Sequence, residues 1–362
     1  MLSSREKISM RQAVVLFLLL VFSTSIRVLP PYAAKAAGRA GWLIPVFSVL
    51  PFIVLVYIMQ AIFKNYREAS LADIICRTLG KAPGRVLLIL YLIWLMAFLG
   101  ILVRNFAEKF LISVLPNTPQ SFFTVTILAV VFFCVRGGIV NITRTAEFLF
   151  LLFTATFVFL FLFTIPNLEV INLYPITYYD VWPLIKASFP NISIWGAFTY
   201  IFFLGDRIND KEHAKRFGMQ GAIYLVITTL MLLVQTIGVY GYSVVGRTSA
   251  PYISSVKSIS ILRTVERIES VSVTSWAIAD FVPISVLVLI MVNIIKTLFS
   301  LSEEKALVSP VVIFAFIFSQ YVAKNSFELE RFTRYISVPT GIIFGSVVPL
   351  IILIVGKIRK TI

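Results

Sequence analysis

Ser23, Thr24 and Ser25 stand in the middle of one long apolar stretch, followed by Ile26 and Arg27, with Pro30 and Pro31 just beyond. Asn191 and Ser193 stand in the middle of another, between Pro190 and the run Ile194-Trp195-Gly196. Hydroxyls, an amide and helix-breaking residues at the centre of apolar segments have a specific use. In a bilayer every backbone N–H and C=O must find a partner, so a helix unwinds at membrane depth only where its freed groups face a cavity or a ligand. Paired interruptions in corresponding positions of two halves point to a transporter-type binding site. The positive dipole end of a half-helix suits a carboxylate, and freed carbonyls suit an ammonium. That chemistry matches a zwitterionic amino acid, held by Ser23, Thr24 and Ser25 from one segment and Asn191, Ser193, Ile194 and Gly196 from the other. Tyr91, Leu95 and Phe98 recur at helical spacing on a third segment and are placed to wall the side-chain pocket; the alternative is that they face lipid or core.

Ionisable residues within apolar segments are the next candidates, because a charge at mid-membrane costs at least about 2.5 to 3.5 kcal/mol on insertion scales. Asp280 is the candidate for coupling to an ion or proton, with pairing to a basic side chain as its other reading. Arg27 either snorkels to the outer surface or salt-bridges to a loop, or else adds a positive charge that favours an anionic ligand. Arg104 and Glu108, four residues apart, share a helix face and read as a structural ion pair; Arg144 and Glu147, three apart, allow the same. Enzyme constellations are missing. The single histidine, His213, lies in the charged run Asp206 to His213, and the two cysteines, Cys76 and Cys134, are far apart. Zinc spacing therefore fails, a Ser-His-Asp triad has no buried histidine to use, and there is neither a Walker loop nor a GxGxxG fingerprint. No catalysis, metal or cofactor is expected.

These residues need membrane helices to position them. The chain of 362 residues is 59% hydrophobic and 14% charged, with a mean hydropathy of +0.94, which lies far outside the range of soluble domains. At roughly 20 apolar residues per span, ten spans are predicted: about 12–34, 42–63, 86–107, 119–136, 144–166, 186–205, 217–245, 272–298, 306–323 and 335–356. They divide near residue 168 into pseudo-repeats 1–168 and 169–362 of a single transmembrane domain. The net charge of +15 is scattered among short loops rather than gathered on one face, which argues against nucleic acid. The larger share of Lys and Arg falls on the side of both termini, which places the termini in the cytoplasm.

Smaller features complete the pattern. Prolines in the second, eighth and tenth spans predict kinks. A short helix is expected over Ser70 to Leu79, an interfacial aromatic belt at Tyr174, Tyr178, Tyr179 and Trp182, and an amphipathic helix over Ser254 to Ser272 on the outer face. Gly341 and Gly345 form a GxxxG pair that suits close helix packing.

Four short motifs in a fixed order carry a resemblance. Lys7-Ile8-Ser9-Met10-Arg11-Gln12 opens the first span; Arg104-Asn105-Phe106 and Leu115-Pro116-Asn117-Thr118-Pro119 flank the end of the third; Glu266-Arg267-Ile268-Glu269-Ser270 leads to Trp276. Over essentially its whole length the chain resembles the B subunits of bacterial spore germinant receptors, a spore permease family similar to the amino acid-polyamine-organocation transporters. The resemblance implies an all-α polytopic fold, the ten-helix LeuT-like 5+5 inverted repeat with helices 1 and 6 broken. It implies a subunit in the inner membrane of the dormant spore that binds a nutrient germinant, often an amino acid, and signals to a larger A subunit and a lipoprotein C subunit. The segment Ser23-Thr24-Ser25 departs from the glycine-containing breaks common in that superfamily. An ion-coupled secondary amino acid transporter, and a scaffold that holds partners without binding ligand, are the competing readings.

Overall fold

Runs of Leu, Ile, Val and Phe with few charges can satisfy their backbone without water only by winding into helices or closing a barrel, and this chain takes the first route. The computed structural model describes residues 7–361 apart from 67, 114, 116, 249, 259–267, 302 and 324. Its helices are α1 (Met10–Ala37), α2 (Ile44–Lys64), α3 (Leu71–Leu79), α4 (Lys81–Ser113), α5 (Gln120–Arg136), α6 (Ile139–Thr164), α7 (Val181–Trp195), α8 (Phe198–Ile201), α9 (Ala214–Val245), α10 (Pro251–Lys257), α11 (Ile268–Phe299), α12 (Lys305–Tyr321), α13 (Ser326–Phe332), α14 (Val338–Ile342) and α15 (Val348–Ile358). Among the described residues, seven helical stretches are long and apolar enough to cross a membrane, and the first of them, Met10–Lys64, joins α1 to α2. Gln120–Arg136 and Lys305–Tyr321 are shorter apolar helices.

The layering follows from what each helix exposes. The apolar window of α11 is 94% buried, against 28% for that of α6, so α11 lies at the centre and α6 at the rim. α1 packs on α9, α7, α11 and α6, while α4 packs on α11, α12 and α5. Leu50, Phe133, Phe148, Leu151 and Ile223 are exposed, an outward apolar surface of the kind a bilayer covers. Ser9 caps α1 with a reciprocal bond to Gln12. Ser70 does the same for α3 through Asp73, and α3 is the short helix expected over Ser70 to Leu79. The middle of the amphipathic helix expected over Ser254 to Ser272 lies outside the described residues.

The first expected interruption is not there. α1 stays helical through Ser23, Thr24, Ser25 and Arg27, with Pro30 and Pro31 inside it. The physical reason is that two of its three hydroxyls find acceptors without unwinding the backbone. Thr24 Oγ1 donates to Leu20 O one turn back, at 3.1 Å, and Ser23 donates to Asp280 across the helix interface. The second apolar segment does change course: α7 stops at Trp195, Gly196 and Ala197 make a turn, α8 is a single helical turn, and a 3-10 stretch runs over Phe202–Arg207.

Glycine lets this turn meet the last helical stretch. A Cβ on Gly345 would lie 2.8 Å from the Gly196 carbonyl carbon, and one on Gly341 would strike Ser193 Oγ. The GxxxG pair is thus a close packing surface. That stretch also contains wide π turns at Thr333–Ser337 and Ile343–Val347. Pro349 has no N–H to offer the carbonyl of Phe344 or Gly345. Tyr91 Oη donates to Phe344 O at 2.7 Å and Thr199 Oγ1 to Gly345 O at 2.7 Å, so side chains replace the missing donor.

The end that carries both termini is closed. Ile8 and Ile208 form a parallel bridge, with Ile8 N donating to Arg207 O and Asn209 N to Ile8 O, each at 2.8 Å. Glu304 accepts from Arg207 and from Lys296 Nζ at 2.6 Å, and Asn293 Nδ2 donates to Phe203 O at 2.6 Å. Burial pushes the Glu304 carboxyl up, but the hydrogen bonds from Arg207 and Lys296 outweigh it and hold it below its ordinary value.

Candidate ligand cavity and buried charge network

A small cavity of about 50 Å³ lies where α1, α4, the α7–α8 turn and the α13–α14 stretch meet. Each helix contributes one stripe. From α1 come Leu20, Thr24 and Val28, at steps of four; from α4 come Trp94, Phe98, Ile101, Leu102 and Asn105. Ser193, Ile194, Ala197 and Tyr200 line it from the turn, and Thr333, Ser337, Val338 and Gly341 from the far wall. Because α1 is an intact helix, successive residues turn about 100° apart. Thr24 therefore faces the cavity while its neighbours face other helices.

Of the residues expected at the site, Thr24, Phe98, Ser193 and Ile194 line this cavity, and the other six do not. Ser23 turns to α11. Ser25 and Asn191 are buried, and neither the Ser25 hydroxyl nor either amide atom of Asn191 has a partner among the described residues. Tyr91 is fully buried against Phe203 and Phe344, and Leu95 belongs to the apolar core. Gly196 makes the backbone contact with Gly345. The sequence missed Trp94, Asn105, Tyr200, Thr333 and Ser337. Trp94 starts the run that reaches Phe98, Ile101 and Asn105, so a three-residue shift of the α4 stripe would have found it. The Trp94 Nε1 donates to Tyr200 Oη at 2.9 Å, which fixes the two rings across the cavity.

The lining is apolar and aromatic with a few hydroxyls and one amide, and it contains no charged side chain. Asn105 Oδ1 and Ser337 Oγ are buried there without partners among the described residues. Such orphaned polar atoms carry an unpaid desolvation cost of about 1 to 3 kcal/mol each, which a hydrogen-bonding ligand or water would relieve.

Beside the cavity, toward the end away from the termini, lies a charge network. Asp280 accepts from Lys109 and from Ser23, and Trp276 Nε1 donates to Ser23 Oγ at 3.3 Å. The Lys109 ammonium sits 3.7 Å from the centre of the Trp276 ring, a cation–π contact. Glu108 Oε2 accepts from Arg27 Nη2 at 2.9 Å, and Glu108 Oε1 from Arg104 Nε at 3.2 Å. Lys109 is the residue sequence reasoning overlooked. It follows Glu108 directly, and that single helical step turns it from the Arg104 face toward α11. The pairing expected of Arg144 with Glu147 is a correction: Glu147 accepts from Arg11 Nη2 and Gln12 Nε2, each at 3.1 Å. The start of α1 lies against α6, and this tertiary contact displaces the local i to i+3 pair.

Above the cavity opens a vestibule of about 560 Å³. Val28, Asn105, Thr333 and Val338 line both spaces, so they form the boundary between them. Among the described residues no three His, Cys, Asp or Glu side chains are grouped as a metal site requires.

Helices with lipid-facing apolar surfaces around a small central cavity define an integral membrane protein. Over 96% of this chain and 78% of the other, the fold matches that of Mhp1, a nucleobase-cation-symport-1 family transporter solved in a closed conformation with bromovinylhydantoin bound, at a TM-score of 0.68 and 11% identity. The chain belongs to the spore germination protein family, whose model matches residues 7–327. Similar proteins are spore germination protein KB of Bacillus subtilis, 22% identical over 98% of this chain and 96% of that one, and spore germination protein XB of Bacillus anthracis, 23% identical over 77% and 79%. Spore germination protein B2 of Bacillus subtilis is 22% identical over 60% of this chain and 59% of its own.

Proposed function

We propose that this protein is the membrane subunit of a spore germinant receptor, and that a small nutrient molecule, an amino acid in the first instance, binds in the central cavity. The observation that carries the reading is the cavity itself. It adjoins a vestibule on one side, while the Ile8–Ile208 bridge and the Arg207–Glu304 pair close the opposite end. A ligand would reach Thr24, Ser193 and Ser337 from the vestibule, with the termini in the cytoplasm and the vestibule facing outward in the spore inner membrane. With α1 unbroken, its backbone offers no N–H groups to a carboxylate. The C-terminal end of α7 at Ser193 to Gly196 carries a partial negative charge that suits an ammonium. Trp94, Phe98 and Tyr200 would wall the ligand's apolar part.

Ten spans arranged as two inverted sets of five fit the helices, once the stretch Met10–Lys64 is counted as two and the two shorter apolar helices are included. Binding would shift the balance between this arrangement and one opened at the terminal end, and A and C subunits would read the shift. An ion-coupled transporter is the second reading, favoured by the fold shared with Mhp1. The Lys109 ammonium already sits against Asp280, which leaves that carboxylate less able to take a coupling cation.

The test uses the full chain in lipid vesicles with a panel of labelled L-amino acids. Saturable binding that Thr24→Trp and Ser337→Leu each weaken at least about tenfold, about 1.4 kcal/mol, without flux on an ion gradient, is the expected result. Gradient-driven uptake would decide for the transporter. Absence of binding across the panel, or binding indifferent to both substitutions, would remove the cavity from the account.

A further inference from the structure

The vestibule has a charge pattern that the cavity lacks. Arg27, Lys35, Arg247 and Arg334 line it, against the one carboxylate of Glu330. Two of these cations are already answered: Lys35 Nζ pairs with Glu330 at 3.1 Å, and Arg27 pairs with Glu108 at 2.9 Å. Arg247 and Arg334 have no carboxylate partner among the described residues; Arg334 only lies over the Tyr335 ring, 5.6 Å from its centre. The two guanidiniums come from separate elements, one just past the end of α9 and one in the π turn after α13. Gly246 lets the α9 end approach α1, since a Cβ there would lie 3.2 Å from Lys35 Cγ.

Two unanswered guanidiniums at a concave site bounded by low-dielectric walls concentrate anions, and their planar donor pairs match carboxylates bidentately. The volume of about 560 Å³ is that of a small-molecule pocket rather than a single-ion seat. We infer that the vestibule is a binding site for small carboxylate-bearing molecules, held between Arg247 and Arg334 before any passage to the cavity. This site stands whether or not the central cavity binds a germinant.

The full chain in nanodiscs of neutral phosphatidylcholine, titrated with labelled malonate, tests it. Saturable binding that weakens as salt rises is expected. Arg247→Gln with Arg334→Gln should lower malonate affinity by at least about tenfold, since charge-assisted hydrogen bonds contribute most of such binding. Glu330→Gln, which frees Lys35, should raise it a few-fold. If the double variant fails to fold, the Glu330→Gln arm decides, and an affinity unchanged or weakened there overturns the inference. So does an equal affinity in the wild type and the folded double variant. Absence of malonate binding in phosphatidylcholine, with phosphatidylglycerol retained by the wild type and lost from the double variant, would assign the arginines to lipid headgroups instead.

Discussion

Removing Lys109 should destabilise the protein more than any other single truncation of a charged side chain, and Asp280 should be its thermodynamic partner. Both side chains are almost excluded from solvent, at 5% and 7% exposure. Lys109→Met keeps length and apolar character but leaves the Asp280 carboxylate with Ser23 as its remaining donor. Breaking a buried ion pair from one side costs about 3 to 5 kcal/mol, because the surviving charge stays desolvated. Asp280→Asn should fall toward the lower end, since the ammonium keeps the Trp276 face 3.7 Å away, a contact that contributes about 0.5 to 2 kcal/mol. In the double variant neither charge remains, so most of the loss should be recovered, with a coupling energy of at least about 2 kcal/mol. Reversible unfolding of the full chain in mixed detergent micelles, followed by helical circular dichroism, measures all four corners of the cycle. A Lys109→Met cost under about 1 kcal/mol, or a double variant equal to the sum of the singles, would refute the reasoning.

Two further outcomes follow from the packing and from the terminal-end pairs. Gly345→Ala would place a Cβ 2.8 Å from the Gly196 carbonyl and should cost about 1 to 3 kcal/mol through overpacking; an unchanged unfolding midpoint would show that the backbones separate freely. Glu304 has its pKa lowered in the folded protein, so its contribution is present above its unfolded value and is lost as pH falls through the folded one. Hydrogen exchange at the start of α12 should accelerate as the solution is acidified across that window, and Glu304→Gln should abolish the acceleration.

How far the sequence could be read is clearest on α1 and α4. Composition and apolar periodicity were enough to place Thr24 and Phe98 on membrane helices, because span length is set by the bilayer. They could not decide that α1 stays wound, since that depends on Asp280 accepting from Ser23 across a distance of 257 residues in sequence. A trio of hydroxyls reads as a break when considered alone. Ser23 pairs with α11 and Thr24 with its own preceding turn, so two of the three bond without unwinding the helix, while Ser25 stays buried with no partner among the described residues. On α4 the aromatic spacing was seen, but which stripe faces the cavity was not. Tyr91 satisfies a carbonyl that Pro349 leaves open, and that demand originates at the other end of the chain.

The ion pairs divide along the same line. Arg104 and Glu108 lie one helical turn apart, and their spacing carries the contact by itself. Arg144 and Glu147 are comparably spaced, yet α1 supplies Arg11 and Gln12 to Glu147. Sequence alone determined that this is a helical membrane protein, because apolar content on this scale cannot be buried in water-soluble form and backbone bonding in lipid admits few solutions. Only the tertiary structure decided which hydroxyls face a cavity, which glycines face a backbone and which lysine meets Asp280. Each of those outcomes is set by helix rotation and by partners remote in the chain, and a helix turns through about 100° for every residue by which a stripe is misread.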